Sequence, residues 1–187
     1  MKSSFGTTLR RQRGRLFEFK LRPAGAGRLA GFVVDSSPEL VLVHRVDFDT
    51  FSLNGYAAIR SDDIAEFRSF GRREYWQRRA VEHFGLVPVP VPRVSVGSFR
   101  ELLASAALTD RMVAVYRARI AADVCYIGPV TRVTDQQLTM EDLDSNAKWS
   151  GPRRIRLADV TRVDFDDGYL RALEATAPKR RDALRKT

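Results

Sequence analysis

Two stretches of this chain, roughly one hundred residues apart, share one order of apolar segments, glycines and a charged motif. The first reads Gly31-Phe32-Val33-Val34-Asp35, then Leu40-Val41-Leu42-Val43, Gly55 and Ile59-Arg60-Ser61-Asp62-Asp63-Ile64. The second reads Gly128-Pro129-Val130-Thr131-Arg132, then Leu138-Thr139-Met140, Gly151 and Ile155-Arg156-Leu157-Ala158-Asp159-Val160. Such self-similarity is the signature of a duplicated structural unit. The sequence therefore predicts two copies of one small fold.

Short apolar segments predict five strands in the first copy. Residues 16–22 alternate apolar and polar side chains, which is typical of a strand with one buried face. The remaining strands are predicted over 29–35, 40–46, 55–60 and 64–68, with a turn at 36–39. Five short strands without a crossover helix predict a small antiparallel barrel.

A helix and a proline-rich segment are predicted after the first copy. Residues 72–84 place Trp76, Ala80 and Phe84 at a spacing of four, which is a helical period, and Gly85 is expected to end the helix. Alternating valine and proline over 87–92 favours an extended backbone. The predicted first domain is therefore 1–86, and the linker is 87–97.

The second copy begins with a helix signal. Ser98 is followed three residues later by Glu101, a capping-box pattern that predicts a helix over 98–108. Strands are predicted over 112–118, 122–132, 137–143, 153–157 and 160–165, and a short helix from about 166. The second domain is therefore 98–177, followed by a basic tail over 178–187. The predicted fold is mainly β, with a few short helices and two tandem five-stranded barrels.

Several motifs of the second copy also occur, in the same order, in a known group of proteins. Met112-Val113-Ala114-Val115-Tyr116, Gly128, Leu138-Thr139-Met140, Gly151 and Tyr169-Leu170 resemble small bacterial proteins thought to form Sm-like or SH3-like barrels. The resemblance implies the barrel scaffold. RNA-binding Sm proteins carry an Arg-Gly pair in one loop, whereas Arg60 and Arg156 here have no glycine after them. That RNA pocket is not carried over, and a scaffold alone implies no activity.

The formal charge of +9 is unevenly distributed. Basic residues are concentrated in 1–22, 72–79 and 178–187, and the rest of the chain is net acidic. Arginines can contact phosphates, and aromatic side chains can stack on exposed bases. The helix has an alternative interpretation, in which Trp76 packs inward and the arginines form a solvated face. The candidate nucleic-acid-binding residues are Arg10, Arg11, Arg13, Arg15, Arg72, Arg73, Tyr75, Trp76, Arg78, Arg79, Lys179, Arg180 and Arg181.

Catalytic and metal sites lack the residues they need. Cys125 is the one cysteine, and His44 and His83 are the two histidines, so no four-ligand His/Cys metal site is expected. No cofactor motif is present, and no catalytic residue is predicted. Aspartates at 47 and 49, at 62 and 63, and at 164, 166 and 167 fall at predicted turns or helix starts, where such residues bond to nearby backbone amides.

The sequence also sets expectations for location and function. The single cysteine, the absence of an apolar run of about 20 residues and a start that leads into arginines favour a cytoplasmic protein without a membrane partner or secretion signal. The leading prediction is a non-catalytic protein that binds RNA or DNA through its arginine-rich ends and helix. The alternative is a protein-interaction or scaffold module that uses barrel edges or the groove between the barrels. The oligomeric state stays open.

Overall fold

The computed structural model describes residues 5–22, 25–71, 75–91 and 93–179. Ten strands and four helices are formed by these residues. The strands are β1 (Leu16–Leu21), β2 (Arg28–Ser36), β3 (Leu40–Asp47), β4 (Ser52–Arg60), β5 (Ile64–Ser69), β6 (Met112–Arg117), β7 (Ala121–Val133), β8 (Gln137–Leu143), β9 (Trp149–Arg156) and β10 (Arg162–Phe165). The helices are α1 (Phe5–Leu9), α2 (Trp76–His83), α3 (Phe99–Leu108) and α4 (Gly168–Thr176).

All ten strands belong to one antiparallel sheet, in the order β5-β1-β2-β3-β4-β10-β6-β7-β8-β9. We call β1–β5 the N-terminal set and β6–β10 the C-terminal set. Each set has the same internal order, because its last strand pairs with its first. The sets meet where β10 pairs with β4, with Phe165 opposite Tyr56 and Arg162 opposite Ile59. The mainly β prediction is confirmed.

The prediction of two closed five-stranded barrels is wrong. Closing the N-terminal barrel would require β4 to pair with β5, but β4 pairs with β10 instead. The hydrogen-bonding edge needed for closure is therefore used to join the two sets. The result is one open sheet that ends at β5 and at β9.

The largest core lies between the two sets. Strands β3 and β4 direct one face into it, α3 packs along it, and the inner faces of the C-terminal strands complete it. Burying apolar surface in this way is the main favourable contribution to folding. The core includes Leu40, Leu42, Tyr56, Ala58, Phe99, Leu102, Leu103, Ala106, Val113, Val130, Met140, Val163 and Phe165.

The other face of the N-terminal set holds a second core. Val41 and Val43 alternate with Leu40 and Leu42 along β3 and belong to this second core, together with Phe19. Leu9, at the end of α1, is fully buried in this second core. Two smaller clusters lie beneath α2 and beneath α4. Because β3 and β4 are covered on both faces, their apolar residues are continuous along the strand.

Two glycines allow close approach of neighbouring strands at corresponding places in the two sets. A Cβ at Gly31 would overlap the His44 carbonyl oxygen, and one at Gly128 would overlap the Glu141 carbonyl oxygen. A register shift follows in each strand, between Val33 and Asp35 and between residues 130 and 132. These glycines are therefore required by backbone contact.

The proline-rich segment is attached to the sheet. The Val89 N–H donates to Nδ1 of His44 at 3.1 Å, and the Tyr56 hydroxyl donates to the Val89 carbonyl oxygen at 2.9 Å. The His44 and Tyr56 rings stack with centroids 4.2 Å apart. The extended backbone expected here is thus held by two side chains of the N-terminal set.

Candidate functional site

Four aromatic side chains form a continuous surface on the N-terminal set, which we call the aromatic patch: Phe48, Phe51, Trp76 and Phe84. The Phe51 ring stacks on Phe84 with centroids 5.3 Å apart and meets Trp76 edge-on at 5.8 Å. Phe48 lies 6.4 Å from Trp76. Trp76 is 52% exposed and Phe84 is 56% exposed. Exposed apolar surface that is contiguous in this way is typical of an interaction site.

The turn between β3 and β4 supplies one half of the patch. One Asp47 carboxylate oxygen accepts hydrogen bonds from the backbone N–H groups of Asp49, at 2.8 Å, and Thr50, at 3.2 Å. These bonds lower the pKa of Asp47, the Asp49 amide contributing most. Phe51 has a φ of 48°, in the left-handed region. A bulky residue with positive φ is uncommon and is retained where the surroundings require it.

Helix α2 supplies the other half. Val81 is 2% exposed and packs against the outer face of β1, β2 and β3. Gly85, with a φ of 63°, ends the helix, and the Leu86 N–H returns to the Val81 carbonyl at 3.0 Å. This arrangement anchors the helix through Val81 and leaves Trp76 and Phe84 on its outer side.

The inward orientation of Trp76, the alternative interpretation of the helix, is therefore wrong. The side chains that pack inward are Val81, Tyr75 and Leu86, and the Tyr75 ring meets Phe70 edge-on at 5.7 Å. Residues 76, 80 and 84 do share a face, as the spacing of four requires, but that face points outward. Sequence reasoning also missed Phe48 and Phe51. The signal was two phenylalanines in the acidic turn Asp47-Phe48-Asp49-Thr50-Phe51.

The charges around the patch differ from side to side. Arg79 is exposed on α2, and Arg78 pairs with Glu82 one turn later at 2.8 Å. Asp47 and Asp49 lie in the opposite turn. The described charges of α2 are thus two arginines and one glutamate, whereas those of the turn are two aspartates. Arg72 and Arg73, also predicted to bind nucleic acid, lie outside the described residues.

The arginines near the N-terminus lie elsewhere. Arg10 and Arg11 are exposed in a 3-10 turn after α1, which is anchored in the second core by Leu9. Arg13 forms an ion pair with Asp35. Arg15 is exposed just before β1. Because α2 covers the opposite face of the same strands, these residues and α2 do not form one surface.

The C-terminal basic residues belong to the other set. Lys179 is exposed, and the preceding Pro178 carbonyl oxygen accepts a hydrogen bond from the Trp149 indole at 2.8 Å. Trp149 begins β9, at the far end of the sheet from β5. Arg180 and Arg181 lie outside the described residues. The described residues of the three basic segments thus lie in three different places.

The two histidines and the cysteine have local partners. His44 is 6% exposed and accepts the Val89 amide, and burial lowers its pKa. His83 meets Phe84 edge-on at 5.2 Å. Burial raises the pKa of the Cys125 thiol, against the lowering effect of a hydrogen bond with Tyr116. Within the described ranges, no three histidine, cysteine or carboxylate side chains are arranged to hold a metal ion.

The aspartate groups make bonds within the fold. Asp63 accepts from Arg119 Nε at 2.8 Å, and Asp166 lies 3.2 Å from Arg111 Nη1. Asp167 caps α4 by accepting from the Leu170 N–H at 2.8 Å. Asp47 and Asp167 thus bond nearby backbone amides, as expected, whereas Asp63 and Asp166 form ion pairs with arginines that are distant in the sequence.

The groove proposed between the barrels is filled by α3. Phe99 is 1% exposed in the main core, and the Arg60 guanidinium lies 4.8 Å from the centre of its ring. A cavity of about 30 Å³ lies elsewhere between the sets, beside Leu21, Tyr116 and Thr161.

Comparison with protein-family models, with curated proteins and with solved structures gave no match. The fold and the surface therefore define a class: a mainly β protein with one open ten-stranded antiparallel sheet and an exposed aromatic patch. Among the described residues, no helix has both the length and the apolar character needed to cross a lipid bilayer.

Proposed function

We propose that this protein is a non-catalytic binding protein for single-stranded RNA or DNA, and that bases stack on the aromatic patch. The observation that carries the proposal is the exposure of Trp76 and Phe84, each more than half accessible within one aromatic cluster. Every nucleobase offers a flat face, so stacking of this kind tolerates any sequence. Each set is further proposed to be an open relative of the Sm-like or SH3-like fold, in which the closing strand pair is replaced by the junction of the two sets.

The charge distribution supports one orientation of the strand. Phosphates are expected on the α2 side, near Arg79, and away from Asp47 and Asp49. The net charge of +9 adds a general attraction for polyanions. Such binding releases counterions, so its affinity falls as salt is raised.

The test uses Trp76 as its own reporter. In a Trp149→Phe background, Trp76 is the remaining tryptophan. We expect its fluorescence to be quenched when oligothymidylate or oligouridylate of about 12 nucleotides is added. Phe84→Ala is expected to weaken binding by about 1–3 kcal/mol, the range measured for loss of one stacked base.

Two matched controls separate the patch from the general surface. Tyr169 on α4 is 53% exposed, like Phe84, so Tyr169→Ala removes a comparable aromatic ring from another place. Arg171 on α4 is exposed, so Arg171→Ala is the control for Arg79→Ala. Equal effects at both places, no quenching, or an affinity that does not depend on salt would each rule out the proposal.

A protein-interaction role is the second candidate, and the open ends of the sheet favour it. Strands β5 and β9 each have one neighbour in the described sheet. An exposed edge can accept an extended peptide as an added strand. A partner that stays bound after nuclease treatment and at high salt would favour this function over nucleic-acid binding.

A further inference from the structure

Strand β5 presents an unpaired edge. Over the part of the chain that the structure describes, it pairs with β1 alone and ends the sheet. A strand in that position exposes a row of backbone N–H and C=O groups, which can pair with another chain. The side chains of Glu66 and Arg68 are 59% and 52% exposed.

The sequence of β5 is complementary to itself in the antiparallel direction. A twofold axis through Phe67 would place Phe67 opposite Phe67 of a second copy. The same axis would place Glu66 opposite Arg68 of the second copy, and Arg68 opposite its Glu66. Directly opposed aromatic pairs and opposite charges each stabilise a sheet. Three consecutive residues thus supply three favourable cross-strand pairs.

The charges already present in the sheet continue through such a junction. Lys20 Nζ lies 2.9 Å from a Glu66 oxygen, and Arg68 Nη2 lies 3.3 Å from a Glu18 oxygen. Glu66 opposite Arg68 of the second copy would therefore extend an alternation of positive and negative side chains across both sheets. In each of the two added pairs, the Glu66 carboxylate of one copy and the Arg68 guanidinium of the other lie on the same face of the sheet.

The aromatic side chains continue in the same way on the opposite face. Phe67 lies 5.7 Å from Phe17 and 6.5 Å from Phe19, on neighbouring β1. Phe5 meets Phe67 edge-on at 5.3 Å. A second Phe67 beyond the edge would extend this row and cover the part of the ring that is still exposed.

Pairing of β5 with the other open edge is disfavoured. The junction within the chain places Phe165 opposite Tyr56 and Asp164 opposite Ala57. The strand pairings of the two sets make β5 equivalent to β10 and β9 equivalent to β4. If β5 of one copy paired with β9 of another in the register that β10 and β4 use, Ser69 would lie opposite Pro152 and Arg68 opposite Arg153. Proline lacks a backbone donor, and opposed arginines repel each other.

We propose that two copies of this chain form a twofold-symmetric dimer by antiparallel pairing of β5 with β5, centred on Phe67. The dimer joins two ten-stranded sheets into one and leaves β9 of each copy as an outer edge. The proposal does not depend on the ligand of the aromatic patch.

The test is the association state of the full chain by sedimentation velocity up to about 1 mM, where even weak association is detected. We expect a concentration-dependent monomer–dimer equilibrium. Glu66→Arg and Arg68→Glu each create two like-charge pairs at the axis, and each is expected to weaken the dimer about tenfold or more. Because the Glu66 and Arg68 side chains are each more than half exposed, loss of their ion pairs should change folding little, which circular dichroism will check.

Mixing the two variants gives the decisive measurement. The Glu66→Arg chain carries arginine at both positions and the Arg68→Glu chain carries glutamate at both, so the mixture is expected to form heterodimers. Arg154→Glu on β9 is the control and should leave the dimer unchanged. The Phe70 N–H bonds the Leu16 carbonyl oxygen of β1, so residues 66 and 68 also direct their backbone groups to β1 and Phe67 directs its own to the open edge. In the wild-type chain, the Phe67 amide should therefore gain protection from hydrogen exchange as concentration rises. A monomer at all concentrations, oligomers beyond the dimer, dimer loss in Arg154→Glu, or a mixture that stays monomeric would overturn the proposal.

Discussion

The Arg45 guanidinium lies 3.2 Å from the Asp164 carboxylate, and this ion pair connects β3 to β10 across the intervening β4. The pair therefore spans the junction of the two sets. Asp164 is 1% exposed, and Arg162 Nε lies 3.0 Å from its second oxygen. Burial raises the pKa of Asp164 to about 6, against the lowering effect of Arg162 and Arg45.

The first prediction concerns the pH dependence that this carboxyl adds to stability. Its folded pKa of about 6 exceeds the ordinary 3.8, so its stabilising contribution is complete below 3.8 and is lost as pH rises through 6. Asp164→Asn lacks this contribution. The free energy of unfolding of the wild type minus that of Asp164→Asn should fall by on the order of 3 kcal/mol from about pH 4 to pH 7.

Urea denaturation of both proteins at a series of pH values measures this difference in unfolding free energy. The contributions of the other titrating groups are the same in both proteins, so they cancel in the difference. A difference that rises with pH would mean that the arginines outweigh burial and lower the pKa of Asp164.

The second prediction concerns His44 and the proline-rich segment. Burial lowers the pKa of His44 below 6.5, so its contribution to stability is complete above pH 6.5 and is lost as pH falls below that value. A protonated Nδ1 can no longer accept the Val89 N–H. The protection of the Val89 amide, measured as its exchange rate relative to the unfolded chain at the same pH, should therefore fall at acidic pH, and His44→Ala should lower it in the same way at pH 7.

Exchange measured by NMR distinguishes this contact from general loosening. His83→Ala replaces the other histidine, which is exposed, and should leave the Val89 amide unchanged. Equal loss of protection in both variants would show that the His44 contact does not protect the amide.

Local patterns were sufficient to place most strands. The predicted strand over 137–143 matches β8, and 64–68 differs from β5 by one residue. Apolar alternation and turn residues are local properties, so they identify strands well. The pairing of β4 with β10 could not be predicted in this way, because edge pairing depends on which strand approaches in three dimensions. That the two sets arose by duplication stays a prediction.

The orientation of α2 shows a second limit. A helical period is compatible with burial of the face that carries Trp76, Ala80 and Phe84, and equally with burial of the face that carries Val81. Periodicity alone therefore does not say which face of α2 packs against the sheet. The deciding contacts come from Leu16, Phe32 and Val46 on three strands, which form the surface that receives Val81. The candidate site was therefore only partly predictable: Trp76 was among the candidate residues, but the residues it contacts in the β3–β4 turn were not.

The third prediction concerns the close contact at Gly128. Gly128→Ala would push a Cβ into the Glu141 carbonyl oxygen, so we expect destabilisation of about 1–3 kcal/mol, the usual cost of overpacking. Gly168→Ala is the matched control, since its Cβ would lie 3.7 Å from the nearest atom, in ordinary contact. At the start of α4 this control should be neutral or stabilising by less than about 1 kcal/mol. Urea denaturation of both variants checks the contrast, and equal stability would contradict it.

The fourth prediction follows from the core that the two sets share. Trp76 lies on the N-terminal set and Trp149 on β9, so each tryptophan reports on one set. Because β3, β4 and α3 enclose one core with the C-terminal strands, the sets should unfold together. The Trp149→Phe and Trp76→Phe variants should therefore show coincident urea transitions by fluorescence and by circular dichroism.

A substitution in the shared core tests whether the two sets unfold cooperatively. Phe99→Ala removes a ring that is 1% exposed, which typically costs about 3–5 kcal/mol. Phe99 belongs to the part of the chain predicted as the second domain. Because its ring lies in the shared core, Phe99→Ala should nevertheless lower the urea midpoint reported by Trp76 as much as that reported by Trp149. A shift confined to Trp149, or two separate midpoints in the parent variants, would show that each set folds on its own. In that case the β4–β10 pairing would be a contact between two independent domains.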